Sequence, residues 1–394
     1  MISVEEAKKL ILESTQRLPA ILQPVSKCLN HVLAEDVIAP IHYPPFDQSA
    51  MDGFAVIHSD FIEKKIPAII GEAPAGKPFN GIVSTEETVR IFTGAKIPRG
   101  SDTVVMQENV LIQEKTIKFN DKPLMQGDNI RRVGSLVKMD DVVLKAGLLL
   151  NAGAIGFLSS LGITSVNVFP RPKVSIVVTG DELQKPGTEL HDGQIYESNS
   201  TMLIAALEAI HVPVQEEVCI GDDPAQTLST LQSVINRSDI VLISGGVSVG
   251  KYDFVASSLL ESGVENIFYK IFQKPGKPLF FGKYKECLIF GLPGNPAAAL
   301  SCFYEYVVMA IKIMQGFSDI FLRKVNHTIS TDIKKKAGLA LFLKGIIKDT
   351  KVEALQGQDS NNIGAFAHAD CLIYLPVDKA DVKAGELVEV HLLP

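Results

Sequence analysis

The chain holds no uninterrupted apolar run of the roughly 18 residues that a bilayer-spanning helix needs. Its first eleven residues include Glu5, Glu6, Lys8 and Lys9 and lack the apolar core of a signal peptide. Neither membrane insertion nor export is expected, and the cytosol is the expected compartment. C-x-x-C pairs are missing as well. The five cysteines, Cys28, Cys219, Cys287, Cys302 and Cys371, are scattered, odd in number and mostly set in apolar runs. Buried free thiols are therefore expected, rather than disulfides or a zinc site. A basic excess is also lacking. The formal charge is -7, which argues against general nucleic-acid binding, a task that needs a basic face. An acidic protein still binds a small anion where its few cations converge. Repeats and low-complexity tracts are absent.

What is present is ordinary globular composition, 46% apolar and 21% charged, over 394 residues. That length exceeds what one hydrophobic core usually organises. Three regions follow. Residues 1–165 alternate short β-like runs with turns, between a helix predicted from Val4 to Leu18 and another from Ala152 to Leu161. Insertions such as 74–81 suggest a β-rich lobe attached to an extended one. Residues 170–318 change character: Val174–Val178, Ile240–Ile243 and Leu288–Phe290 are continuous apolar runs, as in strands buried on both faces of a parallel sheet. Helical stripes lie between them, at Ser200–Ile210 and Pro224–Ile235. This alternation predicts an open α/β sheet with helices on both faces and ligands bound beyond the carboxyl ends of its strands. Residues 322–394 return to short strands separated by turns, as in a small β-barrel or sandwich.

Five motifs bear on the chemistry. After the strand ending at Ser244 come Gly245, Gly246, Ser248 and Gly250. Glycines here would let backbone N–H groups approach an anion, with Ser244 and Ser248 as hydroxyl donors; the alternative is a plain turn. After the strand ending at Thr179 come Gly180, Asp181 and Glu182. Adjacent carboxylates suit Mg²⁺ shared with substrate phosphate oxygens; otherwise Asp181 caps a short helix. Asp222-Asp223-Pro224 opens the next helix, and capping accounts for at least one of its carboxylates. Lys270, Lys274, Pro275, Gly276, Lys277 and Pro278 form a stiff cationic loop suited to an oxyanion, or else a solvated basic turn. Finally, Pro293-Gly294-Asn295-Pro296 pairs an N-cap asparagine with a first-turn proline, at a helix N-terminus that is itself an anion site.

These motifs, with Pro45-Phe46-Asp47-Gln48-Ser49-Ala50-Met51-Asp52-Gly53, Phe92-Thr93-Gly94-Ala95, Asn129-Ile130-Arg131-Arg132 and Gly193-Gln194-Ile195-Tyr196 before Asn199, occur in one order along the whole chain. In that register the chain resembles molybdopterin molybdenumtransferases, including gephyrin-type E domains. The resemblance implies an extended N-terminal lobe with an inserted β-rich lobe, a three-layer α/β domain like the molybdopterin adenylyltransferases, and a C-terminal β-barrel-like domain. It implies Mg²⁺-dependent insertion of molybdate into adenylylated molybdopterin with release of AMP. It also implies a homodimer with shared active sites, supplied by an upstream molybdopterin adenylyltransferase. Carried over by motif, Asp181, Glu182, Asp222 and Asp253 are the acidic groups, with Asp181, Glu182 and Asp253 as metal ligands. Lys270 and Lys274 meet phosphate or molybdate, and Asp52 and Thr93 come from the partner chain. Ser360 and Lys344 fall in the molybdate pocket. The chain departs from the family pattern in three places. Ser135-Leu136 stand where a carboxylate is usual, Lys344 stands for the arginine of Phe-x-Arg-Gly, and Gly364-Ala365 replace hydroxyl residues. Lysine keeps the charge but not the bidentate fork. Rival readings are an adenylyltransferase-like nucleotide enzyme, disfavoured by the long N-terminal region, and a non-catalytic scaffold, disfavoured by the retained acids and lysines.

Overall fold

The computed structural model describes residues 1–221, 223–246 and 254–394. These form two compact units: Met1–Gln23, Cys28–Ala34 and Asn167–Pro394 in one, and Pro24–Lys27 with Glu35–Val166 in the other.

Helix α1 (Val4–Ser14) starts where Ser3 accepts a hydrogen bond from the Glu6 N–H at 3.1 Å, with Glu5 and Glu6 against the positive end of the helix. Val4, Ala7 and Ile11 form its buried stripe. It stops four residues short of the predicted end at Leu18. The hydroxyls of Ser14 and Thr15 donate to the carbonyls of Leu10 and Ile11, and Thr15 turns extended.

The second unit is built on strands β1 (Gly53–Val56), β2 (Ala68–Ala73), β3 (Glu87–Ile91), β4 (Thr103–Met106), β5 (Val110–Gln113) and β6 (Thr116–Phe119). They lie in the order β4-β1-β3-β2-β6-β5, with only β2 and β3 parallel. Alternation of side chains divides them between two cores: Ala55, Val89, Ile91 and Val104 on one, and Phe54, Val56, Val105 and Ile117 on the other. Helix α2 (Ala152–Ser160) follows, with Asn151 capping the Ala154 N–H at 2.9 Å.

In the first unit, β7 (Val174–Thr179), helix α3 (Asn199–Ala209), β8 (Val214–Ile220), α4 (Pro224–Ile235), β9 (Ile240–Ser244), α5 (Phe254–Glu261), β10 (Glu265–Tyr269), β11 (Phe280–Tyr284) and β12 (Cys287–Leu292) build the predicted α/β sheet. The strand order is β8-β7-β9-β12-β11-β10; the first four are parallel, and β11 runs antiparallel to both of its neighbours, β12 and β10. Ile176, Val178 and Leu242 pack with Leu203 and Leu207 of α3, while Val177, Val241 and Ile243 pack with Leu231 and Val234 of α4 and Leu259 of α5. Residues of alternate parity thus bury both faces, which makes three layers.

Helix α6 (Pro296–Met314), with a π turn at Phe303–Val307, is long and apolar enough to cross a membrane although Glu305 and Lys312 interrupt its apolar run. It is 89% buried among protein atoms and serves as the spine of the core. Its Glu305 takes Lys8 of α1 at 2.6 Å and His391 at 2.6 Å.

Strands β13 (Lys324–Ile329), β14 (Ala340–Lys348), β15 (Lys351–Ala354), β16 (Cys371–Leu375) and β17 (Leu387–Leu392) pair in the cycle β14-β15-β13-β17-β16 and back to β14. Of the two architectures open to this region, the closed barrel is the one formed. Closure around Ile329, Val352, Ile373, Val388 and Val390 leaves no free edge within the ring. The short strand Gln273–Lys274 joins β14 in parallel, tying the lysine-rich loop to the barrel.

Candidate functional site

Because β7, β9 and β12 are parallel, the turns after Thr179, Ser244 and Leu292 open on one edge of the sheet. They enclose a cavity of about 650 Å³. Backbone approach is tightest at Gly245. It has φ +94°, and a Cβ there would lie 2.3 Å from the Thr179 carbonyl oxygen. Gly246 has φ +60° and would meet Val255 at 2.5 Å. The side-chain amide of Asn199, at the start of α3, donates to the Ser244 hydroxyl at 2.7 Å and to the Gly294 carbonyl at 2.8 Å. Buried beside these contacts, Thr179 Oγ1 and Asn199 Oδ1 have no hydrogen-bond partner among the described residues. Polar atoms left this way are costly unless a ligand or water completes them.

Asn295 occupies the cap position of α6 with Pro296 behind it, as expected. Its side chain makes no cap bond, however, and donates instead to the Ser360 hydroxyl at 2.8 Å. Pro296 has no N–H, and the Ala298 N–H donates to the carbonyls of Asn295 and Ser360 at 3.1 and 3.2 Å, so the chain itself satisfies most of the start of α6 beside Pro293, Gly294 and Asn295 on the cavity edge.

Glu182 lines the cavity, and Asp181 precedes it in the same exposed turn. No helix follows that Asp181 could cap. The chain passes into the strand Leu183–Gln184, paired with Ile195–Tyr196. Asp223 does cap α4, accepting from the Gln226 N–H at 2.7 Å. Asp222, Ser248, Gly250 and Asp253 lie outside the described residues. Among the described residues no three His, Cys, Asp or Glu side chains cluster as a metal site.

The cationic loop is held from beneath. Gln273, 1% exposed, donates to the carbonyls of Pro275 and Gly276 at 3.1 and 3.2 Å and accepts from the Tyr306 hydroxyl. Gly276, at φ +85°, leaves no room for a Cβ, which would fall 2.4 Å from the Cys302 sulfur. Lys270 has φ +74° and sets its Nζ 4.9 Å from the Tyr269 ring centroid. Lys274 and Lys277 are exposed, and none of the three lysines forms an ion pair among the described residues. Pro278, ending the loop, lines the cavity.

Lys344 is 1% exposed, and burial pushes its ammonium below the ordinary lysine value despite the opposing charge of Asp359. In the other unit, Asp52 Oδ1 accepts from the Thr93 N–H at 2.7 Å and from its hydroxyl at 2.8 Å. The backbone bond from Thr93, with its hydroxyl, holds the Asp52 carboxyl below the usual range. Pro278 and Pro296, each named in a motif, line the cavity, whereas Glu197 and Asn361 line it from outside every motif, and no motif gives Asn199 a role. The signal for Asn199 was its position opening α3 on the strand-end side of the sheet.

The chain matches three family models in succession: the MoeA N-terminal region (domain I and II) over residues 2–162, a probable molybdopterin binding domain over 175–312, and the MoeA C-terminal region (domain IV) over 327–393. It is 38% identical over 410 aligned positions to the molybdopterin molybdenumtransferase of Haemophilus influenzae, covering 100% of both chains. It is 34% identical to that of Staphylococcus aureus (strain COL), covering 99% of this chain and 95% of the relative. Two structures of a molybdopterin biosynthesis MoeA protein from Pyrococcus horikoshii superpose with TM-scores of 0.84 and 0.81, at 27% and 28% identity. They cover 100% of this chain and 99% and 100% of those. The class is thereby set as enzymes of molybdenum cofactor biosynthesis. Within that class, the chain belongs to the molybdopterin molybdenumtransferase family.

Proposed function

We propose that the protein inserts molybdate into adenylylated molybdopterin in a Mg²⁺-dependent reaction that releases AMP. The observation that carries this reading is the 650 Å³ cavity at the strand ends, with glycine backbone on its floor, Glu182 on its wall and the lysine loop leading into it. That combination suits a large, polyanionic ligand with a phosphoanhydride. The backbone at Gly245 and Gly246, which line the cavity, would face its oxygens. The Thr179 hydroxyl, without a partner among the described residues, would complete itself on the same ligand. Lys270, Lys274 and Lys277 would neutralise molybdate and the leaving phosphate.

The donor set fits a hard cation. Asp181 and Glu182 are adjacent carboxylates on one turn, and Mg²⁺ typically uses one or two such groups together with substrate phosphate oxygens. When bound, the ion would supply charge neutralisation at the phosphoanhydride. Asp52 and Thr93 would be contributed by the second chain of a cytoplasmic homodimer, and an adenylyltransferase must supply the substrate.

The test incubates purified protein with adenylylated molybdopterin, molybdate and Mg²⁺ and measures AMP. Release that depends on both molybdate and Mg²⁺ is expected. Release that is indifferent to molybdate would overturn the reading.

A further inference from the structure

The loop 357–362 carries Ser360, which meets Asn295 at 2.8 Å through its hydroxyl and accepts from the Ala298 N–H at 3.2 Å through its carbonyl. The same loop brings Asn361 to the cavity wall. Its conformation is set from the barrel. Lys344 Nζ donates to the carbonyls of Gly357 at 2.8 Å, Asp359 at 3.1 Å and Asn362 at 3.2 Å. It also sits 5.7 Å from the ring centroid of Phe366. The Lys344 N–H donates to the Gln358 side-chain oxygen at 3.0 Å, and the Gln358 amide returns a bond to the Lys344 carbonyl at 2.8 Å. Gly357 closes the turn at φ +78°, where a Cβ would lie 2.3 Å from Asn362 Nδ2.

An ammonium has three N–H donors and no more. Here three carbonyls of a single loop accept all of them, at a residue 1% exposed. To donate to an oxyanion, Lys344 would have to release one of the three carbonyls through which it holds the loop. An arginine has five donors and could serve the same three carbonyls with two left over.

We propose that Lys344 is a positioning residue. It clamps the 357–362 loop so that Ser360 and Asn361 are presented to the cavity, and it does not itself bind the oxyanion. This rests on the reading of the cavity as an oxyanion-accepting site. In this chain, oxyanion recognition at the barrel side is therefore carried by neutral loop groups, and the cationic share falls to the lysine loop.

The test uses the full chain, four single variants (Lys344→Met, Lys344→Arg, Gln358→Leu and Ser360→Ala) and the double variant Lys344→Met with Ser360→Ala. Backbone hydrogen exchange is followed over 357–363, and molybdate binding by calorimetric titration. Lys344→Met should speed exchange in that segment by about tenfold or more. It should weaken molybdate binding about as much as Ser360→Ala, and the double variant should be no weaker than the worse single one. Gln358→Leu, which loosens the loop with the lysine intact, should behave like Lys344→Met, and Lys344→Arg should restore protection. Additive losses in the double variant, or unchanged exchange in Lys344→Met, would overturn the proposal. So would intact binding in a loosened Gln358→Leu. If the wild-type chain binds no molybdate, the oxyanion reading fails, and the exchange data alone decide whether Lys344 clamps the loop.

Discussion

The side-chain amide of Asn199 donates to the carbonyl of Gly294 at 2.8 Å. A carbonyl can only accept, so the nitrogen of the amide must face Gly294. The oxygen is then the atom left buried without a described partner. With its second bond, to Ser244, this side chain joins the start of α3 to the ends of β9 and β12, three walls of the cavity. Asn199→Leu removes both donors at similar volume and strands the buried Ser244 hydroxyl along with the Gly294 carbonyl. We expect a stability loss of about 1–3 kcal/mol. We also expect a KM for the pterin nucleotide that rises more than kcat falls, since the contact holds a binding wall. Urea unfolding and initial rates check this, and an unchanged midpoint would contradict it.

Gly245 offers a sharper steric test. A methyl group there would be driven to 2.3 Å from the Thr179 carbonyl, a backbone atom that cannot swing aside, at a φ of +94°. Gly187 has nearly the same φ, +93°, but nothing within 4 Å of a Cβ. Gly187→Ala should therefore cost about 1 kcal/mol, the strain term alone. Gly245→Ala should cost more and should also weaken nucleotide binding. Equal losses of thermal stability in the two variants would mean that the close approach at Gly245 is relieved by backbone movement.

Glu305 sits between Lys8 and His391, both at 2.6 Å, in the middle of α6. Burial alone would raise its carboxyl, but the charge of Lys8 and the hydrogen bond from His391 outweigh that and hold it below its ordinary 4.5. A depressed carboxyl contributes stability that is present above the unfolded value and is lost as pH falls through the folded one. Wild type should therefore lose stability as pH drops below about 4.5, and Glu305→Gln should lose less over the same interval. At neutral pH, Glu305→Ala leaves Lys8 without its carboxylate and His391 with Glu389 alone, and should cost about 3 kcal/mol. Urea midpoints at neutral and acid pH decide the matter. Parallel losses in wild type and Glu305→Gln would remove Glu305 as the cause.

What the sequence disclosed and what it hid divide along the range of the interactions. The strands β7, β9 and β12 were legible because burial on both faces writes a continuous apolar run. The glycines were legible because a turn's φ is a local demand. Most of the thiols behave as composition suggested: Cys28, Cys287, Cys302 and Cys371 are buried, Cys219 is exposed, and burial pushes Cys287 up to about 12. Gln273 and Lys344 were not legible in their roles. Each looks like an ordinary polar residue until the fold assembles its surroundings: Tyr306, which donates to Gln273, lies 33 positions away, and the three carbonyls that Lys344 serves lie 13 to 18 positions downstream. Asn295 was read as a helix cap because its neighbours fit one, yet a hydroxyl 65 positions away competes for its amide and wins.

The proposed sharing of active sites makes a demand that no single-chain site would. Asp52 and Thr93 are already joined, with Asp52 Oδ1 accepting at 2.7 and 2.8 Å, so Asp52→Ala removes a formed anchor. Asp181→Asn removes a proposed metal ligand from the α/β sheet. Each variant alone should be inactive in AMP release while remaining dimeric. In mixed dimers, one of the two sites would receive Asp52 from one chain and Asp181 from the other, both intact. Random pairing makes half the dimers mixed, so co-refolding equal amounts should restore about a quarter of wild-type activity in a two-fold dimer. If every site were complete within one chain, each chain of a mixed dimer would still carry a lesion. Activity would then stay at the level of the single variants, and the shared-site proposal would fail.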